Sequence, residues 1–213
     1  GVLGGGQLGA MFTGAARRMG NRVAIWDPDP YTPAHRVADE SFSASFADHD
    51  TRERFIDTVQ AITLEWENIP VELCQWLEQH RTLRPSSAVL RIIQDRLTQK
   101  QFLSSCSLPV PDFAEVTSEH QLHQVISRLG LPLICKTARS GYDGKGQWLI
   151  RQPSEIAQFE QILSTPSSGV RWIAEQVVTF VRELSVLVVR SGTGETRVYP
   201  VSENRHEQGI LRD

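Results

Sequence analysis

Residues 131–150 read LPLICKTARSGYDGKGQWLI, and this is the most informative stretch of the chain. Its apolar beginning, Leu133–Thr137, predicts a strand, and Gln147–Ile150 predicts a second strand that returns beside it. Three glycines lie within six residues between these strands, together with Lys145. Glycine weakens any helix or strand because it has the most backbone freedom to lose, so this segment predicts a flexible loop. We interpret the stretch as two strands joined by a flap that can close over a triphosphate.

The flap differs from two other glycine-rich phosphate loops. The spacing Gly-x-x-x-x-Gly-Lys-[Ser/Thr] of the P-loop is missing, and so is the Gly-x-Gly-x-x-Gly order of the kinase loop. Downstream, Glu175 and Glu183 flank a break between strands at EQVVTF. A short linker of this kind offers backbone groups to an adenine edge, and a nearby carboxylate can accept the hydroxyl groups of a ribose. A lysine, a flap and an acid-flanked hinge in this order favour a nucleotide site.

Lysine is scarce in this chain, and its positions are therefore informative. Of the 22 basic residues only three are lysines, namely Lys100, Lys136 and Lys145. A lysine ammonium is a compact point charge that is often used on phosphates. Lys136 lies in an apolar strand just before the flap and Lys145 lies within it, so phosphate contact is predicted for both. Lys100 is expected to contribute far less.

The first ninety residues alternate strand and helix signals, which predicts a parallel sheet with helices on its faces. The pattern Gly4-x-Gly6-x-x-Gly9 lies between a strand and a helix, and Asp27 ends the next strand. This is the dinucleotide-binding pattern, in which glycines let the backbone approach a phosphate at a helix N-terminus. Alone it is weak support for NAD, because the same terminus suits a sugar phosphate. A plain strand–helix turn without a ligand is also open.

Several element boundaries are predicted as well. A first helix is expected over residues 7–19, and Asp50 is predicted to cap a helix that ends near residue 60. Ser118 is predicted to cap a helix that stops at Gly130. Ser154 is predicted to cap a helix through residue 163, and the run ELSVLVVR, residues 183–190, to form one strand. The second half therefore reads as α+β with antiparallel character.

Composition excludes several classes of function. The net charge is −3 at pH 7 and no basic run exceeds two residues, so the footprint of a nucleic-acid-binding protein is missing. No apolar stretch approaches the ~18 residues of a membrane-spanning helix. The cysteines Cys74, Cys106 and Cys135 are odd in number and lack C-x-x-C spacing, which indicates a reducing cytoplasm. His120 and His123 are spaced like metal ligands, but no third ligand is near and an exposed helix face is expected.

Six segments carry a resemblance to a known family. They are GGGQLGAM, DPDPYTPAHRVAD, LEWENIP, RPSSAVLRIIQDRLTQKQFL, LPLICKTARSGYDGKGQW and ENRHEQGILR, and they are spread over the whole chain. These segments resemble N5-carboxyaminoimidazole ribonucleotide synthetase, an ATP-grasp family of purine biosynthesis. The resemblance implies a ligase that converts ATP, bicarbonate and 5-aminoimidazole ribonucleotide into the N5-carboxy product, ADP and phosphate. The implied intermediate is carboxyphosphate, which reacts readily with water, so the site must exclude water.

The resemblance implies an α/β fold in two parts. A Rossmann-like domain with a parallel sheet is expected over residues 1–93, before the ATP-grasp module. Residues 94–213 are expected to form the ATP-grasp lid subdomain and the start of the C-terminal subdomain, an α+β module whose C-terminal part is absent. ATP and Mg²⁺ are the implied cofactors, with the acidic magnesium ligands beyond Asp213, so the 213 residues alone are expected to be inactive. The complete protein is expected in the cytoplasm as a homodimer, with small-molecule substrates and without nucleic-acid or membrane partners.

The resemblance also assigns roles to individual residues, with Lys136 and Lys145 as the catalytic pair. The positions implied in ATP binding are Arg96, Lys136, the flap residues Gly141, Tyr142, Asp143, Gly144, Lys145, Gly146 and Gln147, the adenine hinge Glu175, Gln176, Val177 and Val178, the ribose acid Glu183, and His206. The positions implied in ribonucleotide binding are Gln7 and Leu8 at its phosphate, Glu65 near its amine or ribose, and Tyr142, Asp143 and Lys145 from the flap. Asp27 is then expected to be structural, and no metal ligand is expected within this chain.

Two positions depart from the family pattern. Ala10 stands where a basic residue commonly follows GGGQLG, which weakens the expected contact with the substrate phosphate or has no effect. Lys145 stands where arginine also occurs, which keeps the charge but loses the planar fork of donors.

Two other functions stay open on the sequence. One is a nicotinamide oxidoreductase, which rests on the first glycine pattern and Asp27 and leaves the flap and its two lysines without a role. The other is a noncatalytic nucleotide-binding module.

Overall fold

A computed structural model describes residues 1–141, 146–165, 170–207 and 210–211 of the protein. The chain divides into two compact units, Gly1–Gln99 and Lys100–Asp213. This division falls after Gln99, whereas the sequence suggested a boundary after residue 93.

The first unit contains a five-stranded sheet in which every strand pair is parallel. Its strands are β1 (Val2–Leu3), β2 (Ala24–Trp26), β3 (Glu40–Phe42), β4 (Ala61–Leu64) and β5 (Thr82–Arg84). Their spatial order is β3-β2-β1-β4-β5, so the direction in which strands are added reverses between β1 and β4. Ligands of open parallel sheets bind outside the carboxyl ends of the strands at such a reversal point. The predicted parallel sheet is confirmed.

Both faces of this sheet are covered. The helices of the unit are α1 (Gln7–Arg18), α2 (His49–Thr58), α3 (Val71–His80) and α4 (Ser87–Ile93), with a short 3-10 helix at Pro33–Arg36. Neighbouring residues of one strand point to opposite faces. Leu3 and Trp26, which are paired in register, therefore belong to one buried cluster, whereas Val2 and Ile25 belong to another. Apolar residues on both faces explain why these strands read as continuous apolar runs.

The start of α2 corrects a predicted cap. Asp48 is the capping residue, and its Oδ1 accepts the backbone N–H of Thr51 at 2.7 Å. That hydrogen bond stabilises the charged form and lowers the pKa of the Asp48 carboxyl. The prediction of Asp50 as the cap is wrong, because the helix already begins at His49 and Asp50 lies in its first turn.

The second unit is built on a four-stranded antiparallel sheet in the order β6-β9-β7-β8. Helix α5 (Arg96–Ser105) crosses the division between the units, and β6 (Phe113–Val116), α6 (Glu119–Leu129), β7 (Leu133–Thr137), β8 (Gln147–Ile150), α7 (Ile156–Ser164) and β9 (Trp172–Gln176) follow. The buried cluster of this unit consists of Val116, Leu122, Val125, Leu133, Cys135, Ile150, Phe159, Trp172 and Ala174. The two strands predicted on either side of the flap, β7 and β8, are confirmed. Residues 142–145 of the flap itself lie outside the described residues.

Helix ends in this unit follow the prediction in one case and depart from it in another. Ser118 caps α6 through the backbone N–H of Gln121, and the helix stops at Gly130 with φ +74°, as predicted. Ser154 caps nothing, because it lies inside a 3-10 helix at Pro153–Glu155 and α7 begins only at Ile156.

Short antiparallel pairs follow β9. They are β10 (Glu183–Ser185) with β13 (Ser202–Asn204), β11 (Val188–Arg190) with β12 (Thr196–Val198), and β14 (His206–Glu207) with β15 (Ile210–Leu211). The prediction of one strand over residues 183–190 is wrong, because Val186 and Leu187 separate two strands that pair with different partners.

Within the described ranges, none of the helices is long and apolar enough to cross a membrane. The same ranges contain no group of three or more His, Cys, Asp or Glu residues that could hold a metal ion. His123 is largely exposed on α6, and its Nε2 lies 2.7 Å from Glu160 Oε1.

Candidate functional site

A carboxylate with two lysines is the most prominent polar cluster of the second unit. Lys136 lies on β7 and Glu175 on β9, and the pairing of Ile134 with Glu175 places Lys136 on the same face, two residues along. Lys136 Nζ lies 3.1 Å from Glu175 Oε2. Lys100 Nζ, which comes from α5, lies 3.1 Å from the same oxygen. The Glu175 side chain is only 5% exposed, so two cations compensate one buried carboxylate.

The opposite face of β7 is core. Cys135 alternates with Lys136 along the strand and is fully buried in the apolar cluster of this unit. Burial raises the pKa of the Cys135 thiol from an ordinary value of 9.0 to about 12, because desolvation disfavours the thiolate. The side chain is therefore a packing residue, and the polar chemistry of β7 belongs to the face that carries Lys136.

The flap is anchored where it leaves and rejoins the sheet. The Thr137 backbone N–H donates to the Gly146 carbonyl at 3.0 Å, and Thr137 Oγ1 donates to the Ser140 carbonyl at 3.2 Å. Gly141 and Gly146 have φ of +85° and +72°, a region that L side chains rarely adopt. A Cβ on Gly146 would also lie 2.9 Å from Thr137 Oγ1. These two glycines are thus required by the backbone, whereas Tyr142, Asp143, Gly144 and Lys145 lie outside the described residues.

The predicted hinge begins where β9 ends. Gln176 is the last residue of the strand, and its N–H donates to the Asp112 carbonyl at 2.9 Å. The Val177 N–H donates to the Pro132 carbonyl at 3.3 Å, and Val178 is 53% exposed. The chain therefore leaves the sheet directly after Gln176 and reaches the surface within two residues.

Two other predicted nucleotide residues lie together. His206 Nδ1 is 3.5 Å from Glu183 Oε1, and the Asn204 amide donates to the same oxygen at 3.2 Å. Antiparallel pairing of β10 with β13 sets Glu183 opposite Asn204. Both the glutamate and the histidine keep a solvent-exposed part, so their polar atoms are accessible to a ligand. Arg96 is the first residue of α5, beside the buried Asp95 that caps the helix.

A second polar cluster lies in the first unit, at the reversal point of its parallel sheet. The turn after β1 carries Gly4, Gly5 and Gly6, and the strand next to it, β4, is followed by Glu65. A Cβ on Gly4 would lie 2.6 Å from Glu65 Oε2, and one on Gly6 would lie 2.5 Å from Glu65 Oε1. The glycines thus make room for a carboxylate at the N-terminus of α1. The adjacent Gln7 is exposed.

Both oxygens of the Asp27 carboxylate accept hydrogen bonds from backbone groups, one of them from this turn. Its Oδ2 accepts the Gly5 backbone N–H at 2.7 Å, and its Oδ1 accepts the N–H of Asp29 at 2.9 Å. In a dinucleotide site the acidic residue at this place accepts ribose hydroxyls instead. A Cβ on Gly5 would collide with Thr32 Oγ1, so packing inside the unit also explains this glycine.

The loop after β4 is held by a residue that the sequence did not single out. Gln94 Nε2, at the end of α4, donates to the carbonyls of both Glu67 and Ile69, at 2.6 Å each. The loop that begins at Glu65 is thereby fixed to a helix end. No sequence signal marks Gln94, since a glutamine at a helix end is common, whereas Lys100 was marked by the scarcity of lysine and was given no role.

Comparison with known proteins gives the family. The ATP-grasp domain family matches residues 101–213, and the ribonucleotide synthetase preATP-grasp domain family matches residues 1–94. The chain belongs to the ATP-grasp family. The antiparallel sheet with Lys136 and Glu175 lies in the matched ATP-grasp region, and the glycine turn with Glu65 lies in the matched preATP-grasp region.

Comparison with individual proteins shows which members of the family are similar to this chain. The chain is 39% identical over 211 residues to the N5-carboxyaminoimidazole ribonucleotide synthase of Bacillus subtilis. The matched region covers 99% of this chain and 54% of that protein. A crystal structure of N5-carboxyaminoimidazole synthetase from Staphylococcus aureus with ADP superposes with a TM-score of 0.93 at 31% identity, over 99% of this chain and 55% of that one. A crystal structure of the Aspergillus clavatus synthase in complex with ADP and 5-aminoimidazole ribonucleotide superposes with a TM-score of 0.84 at 26% identity. This match covers 99% of the present chain and 54% of that one. The chain thus spans about half the length of these relatives, and the resemblance seen in the sequence is confirmed.

Proposed function

We propose that this chain is the substrate- and nucleotide-binding part of an ATP-dependent carbon–nitrogen ligase that carboxylates 5-aminoimidazole ribonucleotide. The observation that carries the proposal is Lys136, held 3.1 Å from buried Glu175 on the sheet from which the glycine flap rises. Family membership supports it, and so do the two structural relatives described with ADP, one of them also with the ribonucleotide.

The proposed reaction has two steps. A bicarbonate oxygen attacks the γ-phosphorus of ATP, and the bond from this phosphorus to the β,γ-bridging oxygen breaks. ADP is the leaving group, and carboxyphosphate is formed. The exocyclic amine of the ribonucleotide then bonds to the carboxyl carbon or to the CO₂ released from it, phosphate departs, and the amine loses a proton. Carboxyphosphate hydrolyses readily, so both steps need a site that excludes water.

Residue roles follow the charge that each step develops. Lys136 is proposed at the ATP phosphates, where a fixed cation stabilises the charge that develops during transfer. Glu183 and His206 are proposed at the ribose, because the carboxylate accepts hydroxyl groups and the imidazole donates or accepts beside it. Arg96 and the hinge after Glu175 are proposed at the rest of the nucleotide, and closure of the flap, including Lys145, is proposed to exclude water.

The second substrate is proposed at the glycine turn. Gln7 and Leu8 stand at the N-terminus of α1, where backbone N–H groups favour a phosphate. Glu65 is the proposed acceptor for the amine or the ribose hydroxyls, and its position between Gly4 and Gly6 supports a ligand seated at the reversal point. The engagement of Asp27 with Gly5 disfavours the alternative of a nicotinamide cofactor.

Magnesium is proposed as the ion that accompanies ATP, since it would neutralise the charge of the phosphates during phosphoryl transfer. The described residues offer no group of three or more candidate ligands, so none of them is assigned to the ion. We further propose a cytoplasmic homodimer without nucleic-acid or membrane partners; the mild net charge supports the part of this proposal that concerns nucleic acid.

Thermal unfolding with added ligands tests the nucleotide part of the proposal on the chain itself. ATP should raise the melting temperature in a concentration-dependent way, because a ligand that binds only the folded state stabilises it. NAD should have no effect at the same concentrations. Protection by NAD and none by ATP would favour the oxidoreductase. For the reaction, the full-length protein is assayed for ADP release that depends on both bicarbonate and the ribonucleotide; nucleotide binding without such turnover would favour the noncatalytic module.

A further inference from the structure

Lys100 contacts the same carboxylate oxygen as Lys136, and this geometry has a consequence for nucleotide binding. Both ammonium nitrogens lie 3.1 Å from Glu175 Oε2. The Lys100 side chain is 17% exposed and that of Lys136 is 24% exposed, so neither charge is fully hydrated. Two like charges on one oxygen repel each other, and the repulsion is stronger where water is partly excluded. Taken together, Glu175, Lys100 and Lys136 carry one net positive charge, so a second anion would be attracted to them.

We propose that Lys100 is a positioning residue for ATP: it compensates Glu175, so that Lys136 is available to the phosphates. The inference rests on the proposed function, because it takes the phosphates of ATP as the second anion. Without Lys100, Glu175 has Lys136 as its cation in this cluster. A phosphate would then compete with a buried carboxylate for one ammonium, and a carboxylate left buried without a cation is strongly unfavourable.

Lys136 is the lysine of this cluster that lies next to the segment assigned to the ATP phosphates. It lies on the strand that leads directly into the flap, since Thr137 follows it and bonds to both ends of the loop. Lys100 lies one helical turn after Arg96 on α5, a helix that is fixed at its start by the Asp95 cap. Lys136 therefore adjoins the segment that the proposed function assigns to the phosphates, whereas Lys100 reaches Glu175 from a capped helix.

A purely structural alternative would have Lys100 attach α5 to β9 and nothing more. That alternative predicts a lower melting temperature and equal effects on all substrates. The positioning role predicts an effect confined to the nucleotide, which is relieved when the carboxylate it compensates is removed. A double-mutant cycle separates the two when it is read from both KM for ATP and the melting temperature. A structural contact would couple Lys100 with Glu175 in stability alone, whereas the positioning role couples them in ATP binding.

The test uses the full-length enzyme with the variants Lys100→Met, Lys100→Arg, Glu175→Gln and the Lys100→Met/Glu175→Gln double variant. Arg22→Met is the matched control, since it removes one cation from an exposed pair at 3.2 Å with Glu40. KM for ATP, KM for the ribonucleotide, kcat and the melting temperature are measured for each. Lys100→Met should raise KM for ATP about 10-fold, the scale of coupling in such networks, and leave KM for the ribonucleotide within about 2-fold.

The remaining variants decide between the two roles. Lys100→Arg should keep KM for ATP within about 3-fold of the parent, because it restores the charge. In the double variant, loss of Lys100 should raise KM for ATP clearly less than it does in the parent. A Lys100→Met variant that behaves like Arg22→Met, a cycle that is additive in KM for ATP, or equal losses for both substrates would overturn the proposal.

Failure of the proposed function gives a different result. If the parent enzyme forms no N5-carboxy product, the proposed reaction is wrong. The double-mutant cycle is then measured with dissociation constants for ATP in place of KM. If the parent enzyme is active and the cycle is additive, only the role of Lys100 is wrong.

Discussion

At the scale of single residues, the proposed chemistry depends on the ion pair of Lys136 with the buried Glu175. An ammonium in an apolar strand beside a glycine-rich segment needs an anionic partner, and the structure places it 3.1 Å from Glu175. The partner itself was less predictable, because the two residues meet only through the antiparallel register of β7 with β9. The contact of Lys100 with Glu175 was not predicted for the same reason, since it is made by a helix far away in sequence.

Replacing Lys136 tests its proposed place at the phosphates. In the full-length enzyme, Lys136→Ala should reduce kcat/KM by on the order of 100-fold or more, the scale of losing one stabilising charge in a dry site. Arg197→Ala is the control, because its side chain is 80% exposed and pairs only on the surface with Glu195. Steady-state ADP release measures both. Similar losses in the two variants would contradict a specific role for Lys136.

Gly146 offers a second test, at the base of the flap. Gly146→Ala places a Cβ at φ +72° and 2.9 Å from Thr137 Oγ1, so the end of the flap must shift. We expect KM for ATP to rise by about 5-fold or more, since strain of this kind is worth about 1–2 kcal/mol. Gly192→Ala is the matched control, because a Cβ there meets nothing within 4 Å. An unchanged KM in Gly146→Ala would show that this position does not set the conformation of the flap.

At the scale of helices and strands, period and capping predicted the existence of elements better than their exposed faces or first residues. The apolar residues Leu8, Met11 and Met19 of α1 have helical spacing, which usually marks a core face. In the structure they are 64%, 65% and 80% exposed, and the helix packs through Gly9 and Thr13 instead. Small residues are selected there because the helix lies close to the glycine turn, a contact that periodicity cannot reveal.

The cap of α2 gives a prediction at this scale. Asp48→Ala removes the acceptor of the Thr51 N–H and should lower the melting temperature by about 2–4 °C, as loss of a helix cap does in a chain of this size. Asp50→Ala, two residues later in the first turn of α2, removes a charge of the same sign but no capping bond and should have a smaller effect. Because the folded pKa of Asp48 is lowered, its contribution is present above the unfolded value of 3.8 and is lost as pH falls further. The loss caused by Asp48→Ala, compared with the parent by thermal denaturation, should therefore shrink at pH 3; an equal loss at pH 7 and pH 3 would contradict the cap.

At the scale of the whole molecule, the three thiols report on both units. Cys74 is buried in the first unit and Cys135 in the second, whereas Cys106 is exposed. Burial raises the pKa of Cys74 and of Cys135 from 9.0 to about 12. A thiol-specific reagent at pH 8 should therefore label Cys106 quickly and the other two only after denaturation.

The same thiols set a pH dependence. Because their folded pKa values are raised, the stability that they contribute is complete below pH 9 and is lost as pH rises from 9 towards 12. Denaturant titrations at pH 8 and pH 10 should show a lower unfolding free energy at pH 10. Rapid labelling of Cys135 in the native protein would show that the antiparallel sheet is not packed as described.

Several apolar residues of the segment that contains the short strand pairs are exposed, and they lead to the final prediction. Leu184, Leu187, Val188 and Val189 are each more than half exposed, and the chain spans 54% of its relative from Bacillus subtilis. The proposed function assigns no magnesium ligand among the described residues, which offer no group of three or more candidates, and phosphoryl transfer from ATP requires the ion. We therefore expect the purified 213-residue chain to form no ADP with ATP, magnesium, bicarbonate and the ribonucleotide, and to associate with rising concentration because exposed strands and apolar patches pair with other copies. A coupled ADP assay and sedimentation measure the two effects, with the full-length protein as the control. Turnover by the short chain that depends on the ribonucleotide would show that the catalytic ion is held by residues within it.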